Sequence, residues 1–244
     1  MKLVKYHFIV FVLLSLVLSL NVPAQDNQQN VNTSPYVHKN EFVAMEDGVK
    51  LAAEIFLPAE TGKFPAVLVR TPYDKSKESL KNNCEWLTEN DIAVVLQDCR
   101  GKYLSEGDFY PFRNERSDGL ATIKWIRMQD WSNGKIGGWG GSYLGYTQWA
   151  VSDKLDALAP RLSGADLYGL LYPGGLFSLD LAFRWGFTVD SKIKNVIDNE
   201  DLSHSYTILP LSVADDSTYD DNPFINDWLS HPCFDEYWKS QNYR

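Results

Sequence analysis

The sequence predicts an α/β fold: a mostly parallel sheet with crossover helices, followed by the start of an inserted helical cap. Three observations predict it. Short continuous apolar runs occur at residues 64–70 and 92–97, the mark of strands buried on both faces. Segments of helical spacing alternate with such runs, and this alternation builds parallel sheets through crossover connections. After about residue 165 the buried runs cease, and aromatic-rich, helix-like pieces replace them.

Taken in order, residues 41–45 and 49–57 are β-prone and flank Glu46-Asp47-Gly48, a hairpin signal. Residues 64–70 form the first buried strand. Residues 76–89 then place Leu80, Trp86 and Leu87 on helical spacing, and residues 92–97 form the second buried strand. Residues 116–128 carry Leu120, Ile123, Trp125 and Ile126 on helical spacing. A strand at 136–139 runs into Gly140-Gly141-Ser142-Tyr143, a helix follows over 144–152, and 156–162 reads as one more strand. Residues 38–165 thus make the α/β core. Residues 166–244 make the cap, with Phe177, Phe183, Trp185, Phe187, Trp228 and Trp238 and an acidic stretch at 215–221.

The first 24 residues stand apart from the fold. Lys2 and Lys5 precede an apolar run at 8–20, and Val22-Pro23-Ala24 offers small residues at a cleavage position, as in a secretory signal. The run is shorter than the roughly 20 residues a membrane span needs, so export without a membrane anchor is expected. Residues 25–37 read as a polar spacer rich in Gln and Asn. Losing Lys2 and Lys5 takes the formal charge from −9 to −11, which argues against nucleic acid or an anionic membrane as partner. Cys84, Cys99 and Cys233 allow one intramolecular bridge but no disulfide framework, so core packing must carry stability.

The segment with the most chemistry is Lys135-Ile-Gly-Gly-Trp-Gly-Gly-Ser-Tyr-Leu-Gly145. A serine at a glycine-flanked strand-to-helix turn is how α/β hydrolases present a nucleophile. The turn is tight, so neighbours on both sides must lack side chains, and the hydroxyl is forced out above the sheet edge. Here the second glycine comes one residue late, as Gly140-x-Ser142-x-x-Gly145.

Several segments together resemble the cocaine esterase and X-prolyl dipeptidyl peptidase group of α/β hydrolases, the CocE/NonD type. They are Met45-Glu-Asp-Gly-Val-Lys-Leu51, Arg70-Thr-Pro-Tyr-Asp-Lys75, Gln97-Asp-Cys-Arg-Gly101 with Ser105-Glu-Gly107, and Gly137-Gly-Trp-Gly-Gly-Ser-Tyr-Leu-Gly-Tyr-Thr-Gln-Trp149. Ala165-Asp-Leu-Tyr168 and His231-Pro-Cys-Phe-Asp-Glu-Tyr-Trp238 fit the group's cap entry and exit. The similarity runs over residues 38–240 in the group's order and corresponds to its N-terminal portion; the late glycine is the group's own pattern.

The resemblance implies Ser142 as nucleophile. It implies the Tyr143 backbone N–H and the Tyr73 phenol as oxyanion donors, each of which contributes roughly 3–4 kcal/mol to acyl-transfer catalysis. Tyr73 directly follows the first buried strand, at the edge where active-site loops gather. Asp98, Arg100 and Asp118 also match group positions and read as loop-structuring ion pairs. The implied activity is hydrolysis of small esters or amides through an acyl-enzyme, with no cofactor and no metal. X-prolyl dipeptidyl peptidase activity is the alternative, and the acidic residues at 215–221 could then meet a substrate amine. A non-catalytic binding module or pseudo-enzyme is the rival of another class.

A serine nucleophile needs a histidine base and an orienting carboxylate, in the chain order Ser, acid, His for this fold. Only His204 and His231 follow Ser142, both within the cap, and they read as polar cap residues. Asp166 follows a strand but is not adopted as the acid. In the resembling group, acid and base come after the cap on strands that return to the sheet. The expectation is therefore an N-terminal portion of a longer hydrolase, inactive alone, with the strand at 156–162 left as an uncovered edge.

Overall fold

The computed structural model describes residues 36–190, 202–215 and 222–243. The expected signal segment, residues 25–35 of the spacer, and residues 216–221 of the acidic stretch lie outside these. Strands β1 (Val37–Ala44) and β2 (Lys50–Leu57) form the expected antiparallel hairpin, in register from Ala44 opposite Lys50 to Val37 opposite Leu57. The remaining strands are β3 (Phe64–Thr71), β4 (Ala93–Asp98), β5 (Ser132–Gly141) and β6 (Ala157–Arg161). The six lie in the order β1-β2-β4-β3-β5-β6. β2 runs antiparallel to β4, and β4, β3, β5 and β6 are mutually parallel.

Burial in β4 shows why the apolar runs mark buried strands. Successive side chains point to opposite faces. Ala93 and Val95 join Ile123 and Ile126 of α2 (Glu115–Arg127) on one face. Val94 and Leu96 join Cys84 of α1 (Glu78–Glu89) and Leu144 of α3 (Tyr143–Trp149) on the other. Helices cover both faces, so both parities of the strand must be apolar.

One expectation changes in the structure and one open question is answered. Trp86 is 63% exposed, because α1 turns Cys84 and Thr88 inward and Trp86 lies two residues from Cys84, about 200° around the helix. Cys84, Cys99 and Cys233 are all free thiols, the first two buried and the third exposed, so the one possible bridge is not made. β6 stands at the end of the sheet, largely exposed, and pairs only with β5 among the described strands.

Beyond β6 the described residues contain helices and no strand: α4 (Leu167–Leu171), α5 (Leu179–Asp190), α6 (Pro223–Ser230) and α7 (Glu236–Lys239). Phe183, Phe187, Phe224, Trp228 and Trp238 of these helices share one apolar cluster with Tyr143 and Tyr146 of α3. The cap is thus packed on the strand-to-helix turn itself.

Under that turn lies a buried ionic network. Arg70 of β3 is 1% exposed and reaches Glu115 at 2.7 Å and Asp118 at 3.7 Å. Arg100 joins Asp118 at 2.6 Å to Asp47 at 2.7 Å, while Asp98 pairs with Lys75 at 3.3 Å. The guanidinium of Arg70 stays charged: burial opposes ionisation, but the acidic groups around it, Glu115 foremost and Asp118 among them, together outweigh it. Removing one member of such a network strands the others, which costs far more than the pair gains. Arg70→Met is expected to lower unfolding stability by about 3–5 kcal/mol, read from the denaturant midpoint.

Candidate active site

β5 ends at Gly141, and Ser142 follows it with its backbone held at φ 54°, ψ −126°. A non-glycine residue held in such a sparsely populated region carries about 1–3 kcal/mol of strain and persists only where its surroundings fix it. Three hydrogen bonds do so. Ser142 N donates to Arg161 O of β6 at 2.9 Å, and Ser142 O accepts from Gly145 N at 2.9 Å and Tyr146 N at 3.1 Å. Ser142 itself is exposed while Tyr143 through Gln148 are buried, so the hydroxyl stands clear of its own helix.

The glycine spacing follows from this packing. Gly140 has φ +131°, and a Cβ there would lie 2.6 Å from Leu144 Cβ. A Cβ on Gly145 would lie 2.5 Å from Ser163 Cβ, so the late glycine is the one the chain leaving β6 packs against. Gln148, which the sequence did not single out, braces the same turn. Its Nε2 donates to Gly140 O at 3.2 Å and Leu144 O at 3.0 Å, and its Oε1 accepts from Ala159 N at 3.0 Å. One buried amide thereby joins the end of β5, the first turn of α3, and β6.

Tyr73 lies just past β3, and its N–H donates to Thr71 Oγ1 at 3.0 Å. Two residues on, Lys75 N donates to Asp98 Oδ1 at 2.8 Å, which fastens the loop to the end of β4. The phenol oxygen accepts from Trp185 Nε1 at 2.8 Å, and Tyr73 and Ser142 line one cavity. Burial pushes the phenol pKa above its ordinary 10.0, against the opposing pull of the indole N–H. Tyr143 is the first residue of α3, so its backbone N–H has no acceptor within the helix. Its side chain turns the other way, donating to Glu115 Oε1 at 2.7 Å and accepting from Phe112 N at 2.9 Å.

These groups open on a cavity of about 700 Å³. Ser142 and Tyr73 line it together with Phe112, Leu170, Leu181 and Trp185. Asp166 is its one charged lining residue among those described, and its Oδ1 accepts from Gly169 N and Asn242 Nδ2, each at 3.2 Å. No described lining residue is a histidine. His204 is exposed, and His231 pairs with Asp235 at 2.6 Å and stacks on Tyr237. Asp215, the described member of the acidic stretch, is buried away from the cavity and accepts from Asn222 N at 2.9 Å and Asn226 Nδ2 at 3.0 Å.

The family model of X-Pro dipeptidyl-peptidase (S15 family) matches residues 47–244. The chain belongs to the S15 family. Cocaine esterase from Rhodococcus sp. is 41% identical over 159 residues, which cover 61% of this chain and 28% of that protein. A CocE/NonD family hydrolase from Staphylococcus aureus superposes with a TM-score of 0.65 at 26% identity, over 85% of this chain and 38% of that one. An aminopeptidase from a marine sediment archaeon shares the fold, with a TM-score of 0.72 at 23% identity over 92% of this chain and 42% of that one. The chain therefore spans well under half the length of these proteins. The resemblance read from the separated motifs holds, as does the α/β-hydrolase sheet.

The packing at the S15-type turn makes a direct forecast. Gly140→Ala combines positive φ with a clash and is expected to cost about 2–5 kcal/mol by chemical denaturation. Gly174→Ala, at φ +65° but with open space around it, is the control and is expected to cost about 1–2 kcal/mol.

Proposed function

We propose that the full-length protein hydrolyses small esters or amides through an acyl-enzyme on Ser142. The observation that carries this reading is the exposed, backbone-strained Ser142 lining one cavity with the half-buried Tyr73 phenol. Ser142 Oγ attacks the acyl carbonyl and gives up its proton to a base. The carbonyl oxygen becomes an oxyanion, met by the Tyr73 O–H and the Tyr143 backbone N–H. Collapse of the tetrahedral intermediate breaks the C–O or C–N bond, and the alcohol or amine leaves with a proton. Water then repeats the attack on the acyl-enzyme and frees Ser142. Because no described lining residue is a histidine, the reading draws its base from outside this set, and the described portion alone is expected to be inactive.

The lining favours an apolar or aromatic acyl group, since Phe112, Leu170, Leu181 and Trp185 form its walls. The X-prolyl dipeptidyl peptidase reading rests on the family match and on Asp166, the charged lining residue. Turnover of an aryl acetate, a glutaryl amide and an Ala-Pro amide separates ester, acylase and peptidase activities. The leader supports export, and protein recovered from outside the cytoplasm is expected to begin at Gln25 by N-terminal sequencing.

A fluorophosphonate probe on the full-length protein is expected to label Ser142, with labelling and turnover lost in Ser142→Ala. Labelling that survives this change overturns the acyl-enzyme reading. Tyr73→Phe should lower kcat by about 100- to 1000-fold with little change in KM. The phenol donates only while protonated, and its raised pKa keeps it so through pH 10. Activity that depends on Tyr73 is therefore retained at lower pH and lost only above that value. An alkaline limb of kcat below pH 10 should persist in Tyr73→Phe.

A further inference from the structure

We infer that Trp185, in cap helix α5, is a positioning residue that aims the Tyr73 proton at the reacting carbonyl, so the oxyanion hole is complete only while α5 is docked. The inference rests on the oxyanion role proposed for Tyr73. It starts from the chemistry of the contact: an indole N–H is a donor and never an acceptor. At 2.8 Å from Trp185 Nε1 the Tyr73 oxygen must therefore be the acceptor, and its own proton cannot point toward the indole. Tyr73 and Ser142 line the same cavity, and with the indole on its other side the phenol proton is left to point into that cavity. A phenol O–H otherwise rotates to suit its surroundings. Here the indole removes the wrong orientation before substrate arrives, which is the preorganisation that an oxyanion donor needs.

The indole is itself held in place. Its ring stacks on Phe112 at 5.1 Å and 24°, on Tyr143 at 5.9 Å and 22°, and on Trp228 at 5.7 Å and 23°. Phe112 and Tyr143 come from the core and Trp228 from α6, so the plane of Trp185 is set jointly by core and cap. Trp228 is fully buried, which leaves the stack no freedom on that side. Tyr143 thus serves the hole twice, through its own N–H and by fixing the plane of the residue that orients the other donor.

The test is a double-mutant cycle in the full-length enzyme. Trp185→Phe keeps an aromatic ring in the stack and deletes the N–H. It is expected to lower kcat about tenfold with KM nearly unchanged, and to weaken binding of an aryl trifluoromethyl ketone, whose adduct forms an oxyanion, by a similar factor. In the Tyr73→Phe background the same change is expected to cost nothing further, because no phenol proton remains to be aimed. Equal losses in both backgrounds, or an unchanged kcat, overturn the assignment of Trp185 while leaving Tyr73 in its role. A Tyr73→Phe enzyme of undiminished kcat defeats the oxyanion reading and this inference with it. Replacing Trp185 by benzothienylalanine, which keeps the shape and lacks the N–H, should reproduce the loss. It decides the matter should Trp185→Phe melt at a lower temperature.

Discussion

The Glu115 carboxylate is the junction on which the rest of the site depends. One oxygen meets Arg70 at 2.7 Å and the other accepts the Tyr143 hydroxyl at 2.7 Å. Arg70 belongs to β3 in the middle of the parallel sheet, Glu115 opens α2 on one face, and Tyr143 opens α3 on the other. A single buried carboxylate therefore ties the sheet to both of its helical layers at the point where the serine emerges. Burial and the Glu115 charge push the Tyr143 phenol well above its ordinary range, so it remains a donor to the carboxylate. Replacing this junction by apolar groups of similar volume could match its stability. Such groups would not hold Tyr143 in one orientation, and Tyr143 carries the helix-start N–H that the proposed chemistry uses.

Strain at Ser142 is distributed over that frame. The left-handed backbone is clamped by Arg161 O on one side and by the first turn of α3 on the other, and Gln148 locks the two strands and the helix together. Each clamp lies at the parallel end of the sheet, where β5 and β6 finish. The cost of about 1–3 kcal/mol is local, while the groups that sustain it come from three elements. This is why the glycines fall where they do: each leaves room for a neighbour that the clamp brings too close for a side chain.

Much of this was legible in the sequence where the cause is local. The hairpin around Gly48, the buried strands β3 and β4, and the turn at Ser142 all announce themselves through composition and spacing over a few residues. The position of Tyr73 after β3 could also be read, because strand ends place loops. What could not be read depends on partners distant in the chain. Trp185 meets Tyr73 across 112 residues, and nothing distinguishes it in sequence from the other cap aromatics. Glu115 and Gln148 look like ordinary helix residues until the sheet brings their partners together. Trp86 was placed on the wrong face because an aromatic at helical spacing looks like core, whereas the inward stripe of α1 is built on the small Cys84 and on Thr88. Asp98, Arg100 and Asp118 read as loop-structuring ion pairs, but their partners are distant in the chain: Lys75 for Asp98, and Asp47 with Asp118 for Arg100.

The cap is best understood as a wall of the site's own core rather than as a lid laid over it. Its aromatic cluster is continuous with Tyr143 and Tyr146, and among the described residues no separate cap core lies between them. Polar ties reinforce the seam at well-separated points. Lys102 Nζ donates to Val189 O near the end of α5 at 2.6 Å, Tyr146 Oη donates to Gln241 O at 2.7 Å, and Tyr110 bonds Asp227 of α6. Tyr243 N donates to Ala165 O at 3.0 Å, which returns the chain to where the cap begins. Moving α5 away would break stacking, a buried lysine contact and the indole bond to Tyr73 together. Separating cap from core would thus disturb the turn that presents Ser142 as well as the cavity wall. The same packing that shapes the cavity therefore holds Ser142, Tyr73 and Tyr143 in register, and neither task can be altered without the other.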